Sequence, residues 1–244
     1  MLYLHGLGHF HPENVITNRF LEELDIESSE EWILERVGIH TRRTSLPLDY
    51  IKTTKNKDPR AAFEASLYTN AQTGAFAARL ALERAAVKPE DVGMVVSGSS
   101  APDYVTPAEA ATVAAELGMD VPCFDLNSAC STFGMQLKFL SDMKPETLPP
   151  YILVVNPENL THTIDYSDRR AAPLFGDGSS AAVVSASVPS KMVLRHFFLI
   201  QTRYPGTRFV FPAWDTSGRM EEPFRVLPSV RRRSLSGNCR KLTP

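Results

Sequence analysis

The sequence predicts an α/β protein whose sheet carries helices on both faces. Three observations lead to that prediction. Apolar runs of strand length alternate with helix-patterned segments from the first residues to about position 187. Several helical segments open and close on capping residues. With 244 residues, 43% hydrophobic and 22% charged, the chain has the make-up of an ordinary globular protein and enough material for a sizeable core.

Taken in order, Leu2–Gly6 reads as a short strand. Ser28-Ser-Glu-Glu31 is a capping box that opens a helix running to about Val37 and stopping at Gly38. Between Asn70 and Ala86, Ala71, Ala75, Ala78, Leu82 and Ala85 recur at spacings of four and three, with Phe76 and Leu80 widening the apolar face. These small residues suit a buried helix packed closely between layers. Met94–Ser97 is a buried strand. Thr106-Pro-Ala-Glu109 offers an N-cap, a proline at the first helical position and a glutamate at the third, for a helix ending before Gly118. Cys123–Leu126 reads as strand, Ser131–Leu140 as helix, Tyr151–Val155 as strand, and Ala181–Ser187 as strand after the Gly176-Asp-Gly178 turn. Arg195–Gln201 continues as an apolar strand and Trp214–Gly218 as a turn.

Charge is distributed unevenly. The formal net charge is −2, yet the last twenty residues hold six basic groups and no acidic one, leaving 20 basic against 28 acidic side chains over residues 1–224. A boundary therefore falls near residue 225. Arg231-Arg232-Arg233 reads as a nucleic-acid or anionic-surface contact, as a solvated, unstructured end, or as sequence never selected with the body, as after a change of reading frame. Three cysteines without a CxxC pair suit a reducing compartment, so the cytoplasm is expected. No apolar run reaches the roughly 18 residues of a spanning helix, and the start lacks a basic and then apolar leader pattern, so neither membrane nor targeting is predicted.

The sharpest chemical feature is Asp125-Leu-Asn-Ser-Ala-Cys130-Ser-Thr-Phe-Gly134, a cysteine between an apolar strand and a helix. A helix start presents free N–H groups and partial positive charge, which favours thiolate and can stabilise an oxyanion. The alternative is a small buried hydrophobe. Cys123, within the strand, and Cys239, in the tail, lack that setting and are expected to be inert. Gly176-Asp-Gly178-Ser-Ser-Ala181 matches the dinucleotide fingerprint in letters, but a strand-like segment follows where the fingerprint needs a helix. His9-x-His11 lacks further ligands at metal-site spacing and reads as a solvated loop. Trp32 and Arg36 lie four apart on one helix face, so either they stack a nucleobase or Trp32 anchors packing while Arg36 reaches to solvent.

With Cys130 in place, further segments fall into order. HPENVITN near the start, SSEEWILERVGIHTRR at 28–43, the helix and strand of 70–100, FDLNSACSTFG, and DYSDRRAAPLFGDGSSAAVV at 165–184 together resemble the N-terminal half of a β-ketoacyl-acyl carrier protein synthase III, a condensing enzyme of the thiolase superfamily. The resemblance spans about residues 1–189. It implies a thiolase-like layered fold, one αβ half with a mixed sheet covered by helices.

It implies, too, that Cys130 is the nucleophile that accepts an acyl group from acyl-CoA. Trp32 and Arg36 match positions that hold the adenine of coenzyme A, and Arg169, in Asp165-x-x-Asp168-Arg169, matches another residue of that site. Thr106 falls on the loop that reaches the partner's acyl pocket in the family homodimer, where many members carry a bulky aromatic. The second step implied is decarboxylative Claisen condensation with a malonyl thioester on an acyl carrier protein. No permanently bound cofactor, metal or nucleic acid is expected. The resemblance divides the chain into 1–189, the half carrying the cysteine; 190–224, the start of a connection to a second half; and 225–244, a basic tail, unstructured or frame-shifted. In the family the second half supplies a catalytic His and Asn. Beyond Cys130 the chain has only His162 and His196, neither in a family-like segment, and the tail offers Asn238, so the sequence assigns neither role. Two other readings stand beside the synthase: a non-catalytic homologue that pairs with a full-length synthase, and an ester-forming or other acyltransferase of specialised metabolism.

Overall fold

The computed structural model describes residues 1–194, 198–201 and 207–210. Its centre is a six-stranded mixed sheet. In chain order the elements are β1 (Leu2–Phe10), β2 (Asn14–Thr17), α1 (Asn18–Glu23), α2 (Glu30–Val37), β3 (Thr41–Thr44), α3 (Leu48–Thr54), α4 (Pro59–Ala65), α5 (Asn70–Ala85), β4 (Val92–Ser97), α6 (Glu109–Glu116), β5 (Cys123–Asp125), α7 (Thr132–Asp142), β6 (Tyr151–Glu158), β7 (Gly178–Ser185), β8 (Met192–Leu194), β9 (Phe198–Gln201) and β10 (Thr207–Val210). The sheet runs β5-β4-β6-β7-β1-β8; β4 is parallel to β5 and β6, while β7 is antiparallel to β6 and β1.

Period-two alternation divides the central strands between two layers. Leu153, Val155, Ala181 and Val183 face α5 and α6, whereas Ile152, Val154, Ala182 and Val184 face Leu137 and Leu140 of α7. The alanine-rich face of α5 has a reason in β1. A Cβ on Gly8 would lie 2.0 Å from the Ala77 carbonyl oxygen, and one on Gly6 would lie 2.4 Å from that of Ala81. Helix and strand approach until only glycine fits beneath alanine. A third apolar cluster joins Ile16, Leu21, Ile33, Leu46 and Ile51 to Ile164, Tyr166 and Ala172 under the antiparallel β2–β3 pair.

Strands β1, β4 and β6 are longer than the sequence indicated, because pairing carries them beyond their apolar cores, whereas β5 stops at Asp125, one residue short of the expected Leu126, and β7 runs from Gly178 to Ser185 in place of Ala181–Ser187. Ser29, one residue later than the expected box, caps α2 by accepting from the Trp32 N–H at 3.1 Å, and Gly38 ends it at φ +74°. Helix α5 opens on a Thr69/Gln72 capping box. The expected cap of α6 requires correction. Thr106 does not cap it; the Asp125 carboxylate accepts from the Glu109 and Ala110 N–H groups at 2.7 and 2.8 Å. A side chain distant in sequence meets the helix start there, and α6 begins three residues beyond Thr106. Among the described residues no helix is long and apolar enough to cross a membrane. Phe198–Gln201 is a strand within the predicted Arg195–Gln201. His196, the Trp214–Gly218 turn, Arg231–Arg233, Asn238, Cys239, the whole 225–244 tail and most of 190–224 lie outside the described residues.

Candidate active site

Cys130 is exposed on a short 3-10 turn, Ala129–Ser131, between β5 and α7. Side chains staple the turn from within. Asn127 Oδ1 accepts from the Ala129 N–H and from the Thr132 hydroxyl, both at 2.9 Å, and its amide donates to the Ser99 carbonyl at 2.7 Å. Thr132 Oγ1 also accepts from the Ser128 N–H at 2.8 Å. Ala129 stands at φ +48°, in the left-handed region that costs a residue with a Cβ of order 1 kcal/mol or more. The strain sits immediately before the cysteine. Behind the turn, a Cβ on Gly98 would meet the Leu126 carbonyl oxygen at 2.4 Å and Thr132 Cγ2 at 2.6 Å, so glycine is what lets β4 end directly beneath the turn. Gln136 donates to the Leu126 carbonyl and accepts from Asn156, which ties α7 to β6 across the same floor.

A second group of candidates assembles elsewhere. The third apolar cluster sets α2 against residues 164–172, and the Arg169 guanidinium lies over the Trp32 ring at 4.3 Å from its centroid. The turn that delivers it is built from its own acids. Asp165 accepts from the Ser167 N–H and hydroxyl, and Asp168 holds Arg170 through backbone and guanidinium, leaving Arg169 to reach Trp32. Buried Arg42 anchors the same segment by donating to the Pro173 carbonyl and to Asn18. Burial pushes the Arg42 pKa down. Arg36, expected beside Trp32, is exposed and makes no ion pair among the described residues.

Thr106 is exposed on the loop before α6, next to Val105, which is wholly exposed, and Tyr104. This loop and the cysteine turn share anchors: Asp125 caps α6 and Asn127 binds the Ser99 carbonyl. Among the described residues, Cys130 forms no hydrogen bond with Trp32, Arg36, Arg169 or Thr106.

Other features singled out in the sequence are accounted for by structure. Asp177 of the Gly-Asp-Gly turn is buried and accepts from the backbone and hydroxyl of both Ser45 and Thr161, and β7 follows it as a strand, which leaves no helix start for a pyrophosphate. His162 is buried and shares Nε2 with the Ser45 and Ser66 hydroxyls at 3.0 and 2.8 Å. Burial lowers its pKa. Cys123 points its thiol at the Val121 carbonyl, with a pKa raised by burial and by Asp125. His9 and His11 are exposed at the end of β1. The sequence reading missed Asn70 and Asp125, whose partners come from distant segments and leave no local signature, and Asn127, which joins its own turn to the distant Ser99 carbonyl.

Comparison with known proteins follows the same lines. The family model described as 3-Oxoacyl-[acyl-carrier-protein (ACP)] synthase III matches residues 124–200. The β-ketoacyl-[acyl-carrier-protein] synthase III of Fusobacterium nucleatum is 35% identical over 180 residues, covering 73% of this chain and 49% of its own length. That of Chlamydia pneumoniae is 30% identical over 193 residues, covering 79% and 52%. In structure, 3-oxoacyl-[acyl-carrier-protein] synthase III from Aquifex aeolicus superposes with a TM-score of 0.65 at 30% identity, over 77% of this chain and 54% of that one. The chain thus spans about half the length of the relatives it matches. With a mixed sheet layered between helices, the chain has the thiolase-like fold, and over about three quarters of its own length it is similar to the β-ketoacyl-[acyl-carrier-protein] synthases III.

Proposed function

We propose that the chain is an acyltransferase of the synthase III type, in which Cys130 accepts an acyl group from acyl-CoA. The observation that carries the reading is the exposed thiol on a turn whose other polar groups are satisfied inward. The Cys130 sulfur attacks the thioester carbonyl, a new carbon–sulfur bond forms, and coenzyme A leaves as its thiol with the proton the cysteine gives up. In this reading the backbone N–H of Cys130 itself contributes to the oxyanion hole, since the Ser128, Ala129 and Ser131 N–H groups are engaged within the turn.

Trp32 and Arg36 hold the adenine in this reading. Arg169 stacked on Trp32 stiffens that platform and brings a cation toward the phosphates. Thr106, on an exposed apolar loop, contributes to the acyl pocket across a homodimer. The acceptor is a malonyl group on acyl carrier protein, and condensation releases carbon dioxide to give a β-ketoacyl product. We assign that second step to no residue: His162 is buried and engaged with two serines. No permanently bound cofactor takes part, and the cytoplasm is the proposed setting.

The test is intact-mass measurement after incubation with acetyl-CoA or a longer acyl-CoA. A gain of one acyl group that disappears in Cys130→Ser is the expected result. A folded protein that gains none, or gains it equally in the variant, refutes the assignment.

A further inference from the structure

The strongest arrangement outside the proposed chemistry centres on Asn70, the first residue of α5, which is fully buried. It binds both limbs of the loop that leads from β4 to α6. Its backbone N–H donates to Asp103 at 2.7 Å; its side-chain amide nitrogen donates to the Ala101 carbonyl at 2.8 Å and to Glu109 at 3.2 Å; its side-chain oxygen Oδ1 accepts from the Asn159 N–H at 3.0 Å. Glu158, at the end of β6, takes the Ser100 and Ala101 N–H groups and so holds the first limb from the other side. The tip is fixed once more, where the Tyr104 ring meets Phe63 of α4 edge-on at 5.8 Å. Between these anchors Tyr104–Pro107 stands out exposed.

We propose that Asn70 and Glu109 are positioning residues that form a protonation-sensitive latch for the Ala101–Pro107 loop, closed while Glu109 holds a proton and loosened when it does not. Glu109 is 3% exposed. The charged groups facing it all have its own sign: Asp103 from the loop and Asp125 from β5. Glu158 flanks the loop's first limb. His162 faces Asp103, but burial holds it toward its neutral form. Arg79 of α5 binds the Glu116 carbonyl at the opposite end of α6. No cation among the described residues therefore offsets a second negative charge beside Asp103. Burial, and then the Asp103 charge, raise Glu109 from an ordinary 4.5 to about 7.

The sign follows from linkage. A carboxyl whose pKa is higher in the closed state favours closure at low pH, loses that preference between its open and closed values, and changes little above the latter. Closure therefore weakens as pH rises from about 5 to about 7 and then levels. The inference stands apart from the acyl-transfer reading; only its consequence for an acyl pocket at Thr106 depends on that reading.

The test is amide hydrogen exchange of residues 100–108 in the full chain between pH 5 and pH 8, corrected for intrinsic exchange, in wild type, Glu109→Gln and Asp103→Asn. In wild type, protection falls by on the order of tenfold or more, with most of the fall below pH 7. Glu109→Gln keeps the loop protected throughout, since its amide cannot ionise. A flat wild-type profile, or a fall that persists in Glu109→Gln and vanishes in Asp103→Asn, overturns the proposal. If Glu109→Gln does not fold, the wild-type profile decides: most of the fall between pH 5 and 7 supports the latch, and a fall completed by pH 5 or begun only above 7.5 refutes it. Acylation of Cys130 is not read in this experiment, so failure of one claim leaves the other to its own test.

Discussion

At the scale of single residues, the site depends on places where one atom more is too many. Gly98 lets the end of β4 pass under the Leu126 carbonyl and Thr132, and the turn bearing Cys130 rests on that passage. Gly98→Ala puts a methyl 2.4 Å from a carbonyl oxygen, so backbone has to shift. We expect a loss of about 1–3 kcal/mol, in the range of overpacking, together with a changed rate of thiol labelling at Cys130. Unchanged urea midpoint and labelling kinetics would show that the turn does not rely on this contact. The Trp32–Arg169 stack makes a separate prediction. If the pair acts as one platform, Trp32→Ala and Arg169→Ala each weaken coenzyme A binding, and the double variant loses less than the product of the two. The expected coupling is about 0.5–2 kcal/mol, measured by calorimetric titration through the double-mutant cycle. Independent effects would mean that the two side chains meet without acting together.

Elements show how far local sequence reaches and where it stops. The core of α5 was legible because its alanines repeat at helical spacing, and the close approach they permit is met by Gly6 and Gly8 of β1. Helix α2 was legible from its cap and its terminal glycine, within one residue. The start of α6 was not, because Thr106-Pro-Ala-Glu109 satisfies every local rule for a cap while Asp125, sixteen residues after Glu109, takes the N–H groups. Local patterning cannot rank a cap supplied by tertiary structure. The same holds for the candidate site. Trp32 and Arg36 share a helix face in the sequence, but the contact with Trp32 comes from Arg169, in a turn where Asp168 engages the neighbouring Arg170. Asp125→Ala removes the acceptor for two N–H groups at the positive end of α6, and we expect about 1–2 kcal/mol of lost stability, with faster amide exchange at Glu109 and Ala110. Exchange at those two amides equal to wild type would show that another group caps the helix.

Across the whole molecule, the acids that matter for pH dependence lie together near the loop before α6 and oppose a single buried histidine. Asp103, Glu109 and Glu158 all have raised pKa values, with burial the leading cause in each. The folded chain therefore binds more protons than the unfolded chain in this window, and stability falls as pH rises through it. His162, lowered chiefly by burial, acts in the other direction: the unfolded chain takes up its proton first, so stability falls as pH drops below the ordinary histidine value. Asp165 and Asp168, lowered by their turn hydrogen bonds, act only below the ordinary carboxylate range. Glu109, displaced from 4.5 to about 7, sets a net decline from about pH 5 to about pH 7, and Asp103 and Glu158 act in the same direction. Glu109 provides the largest share, at most on the order of 3 kcal/mol for its displacement from 4.5 to about 7. Urea unfolding at pH 5, 6, 7 and 8 should show that decline in wild type and a flatter profile in Glu109→Gln. Stability that rises from pH 5 to 7 in wild type would mean that His162, and not the carboxyl group around Asn70, sets the balance.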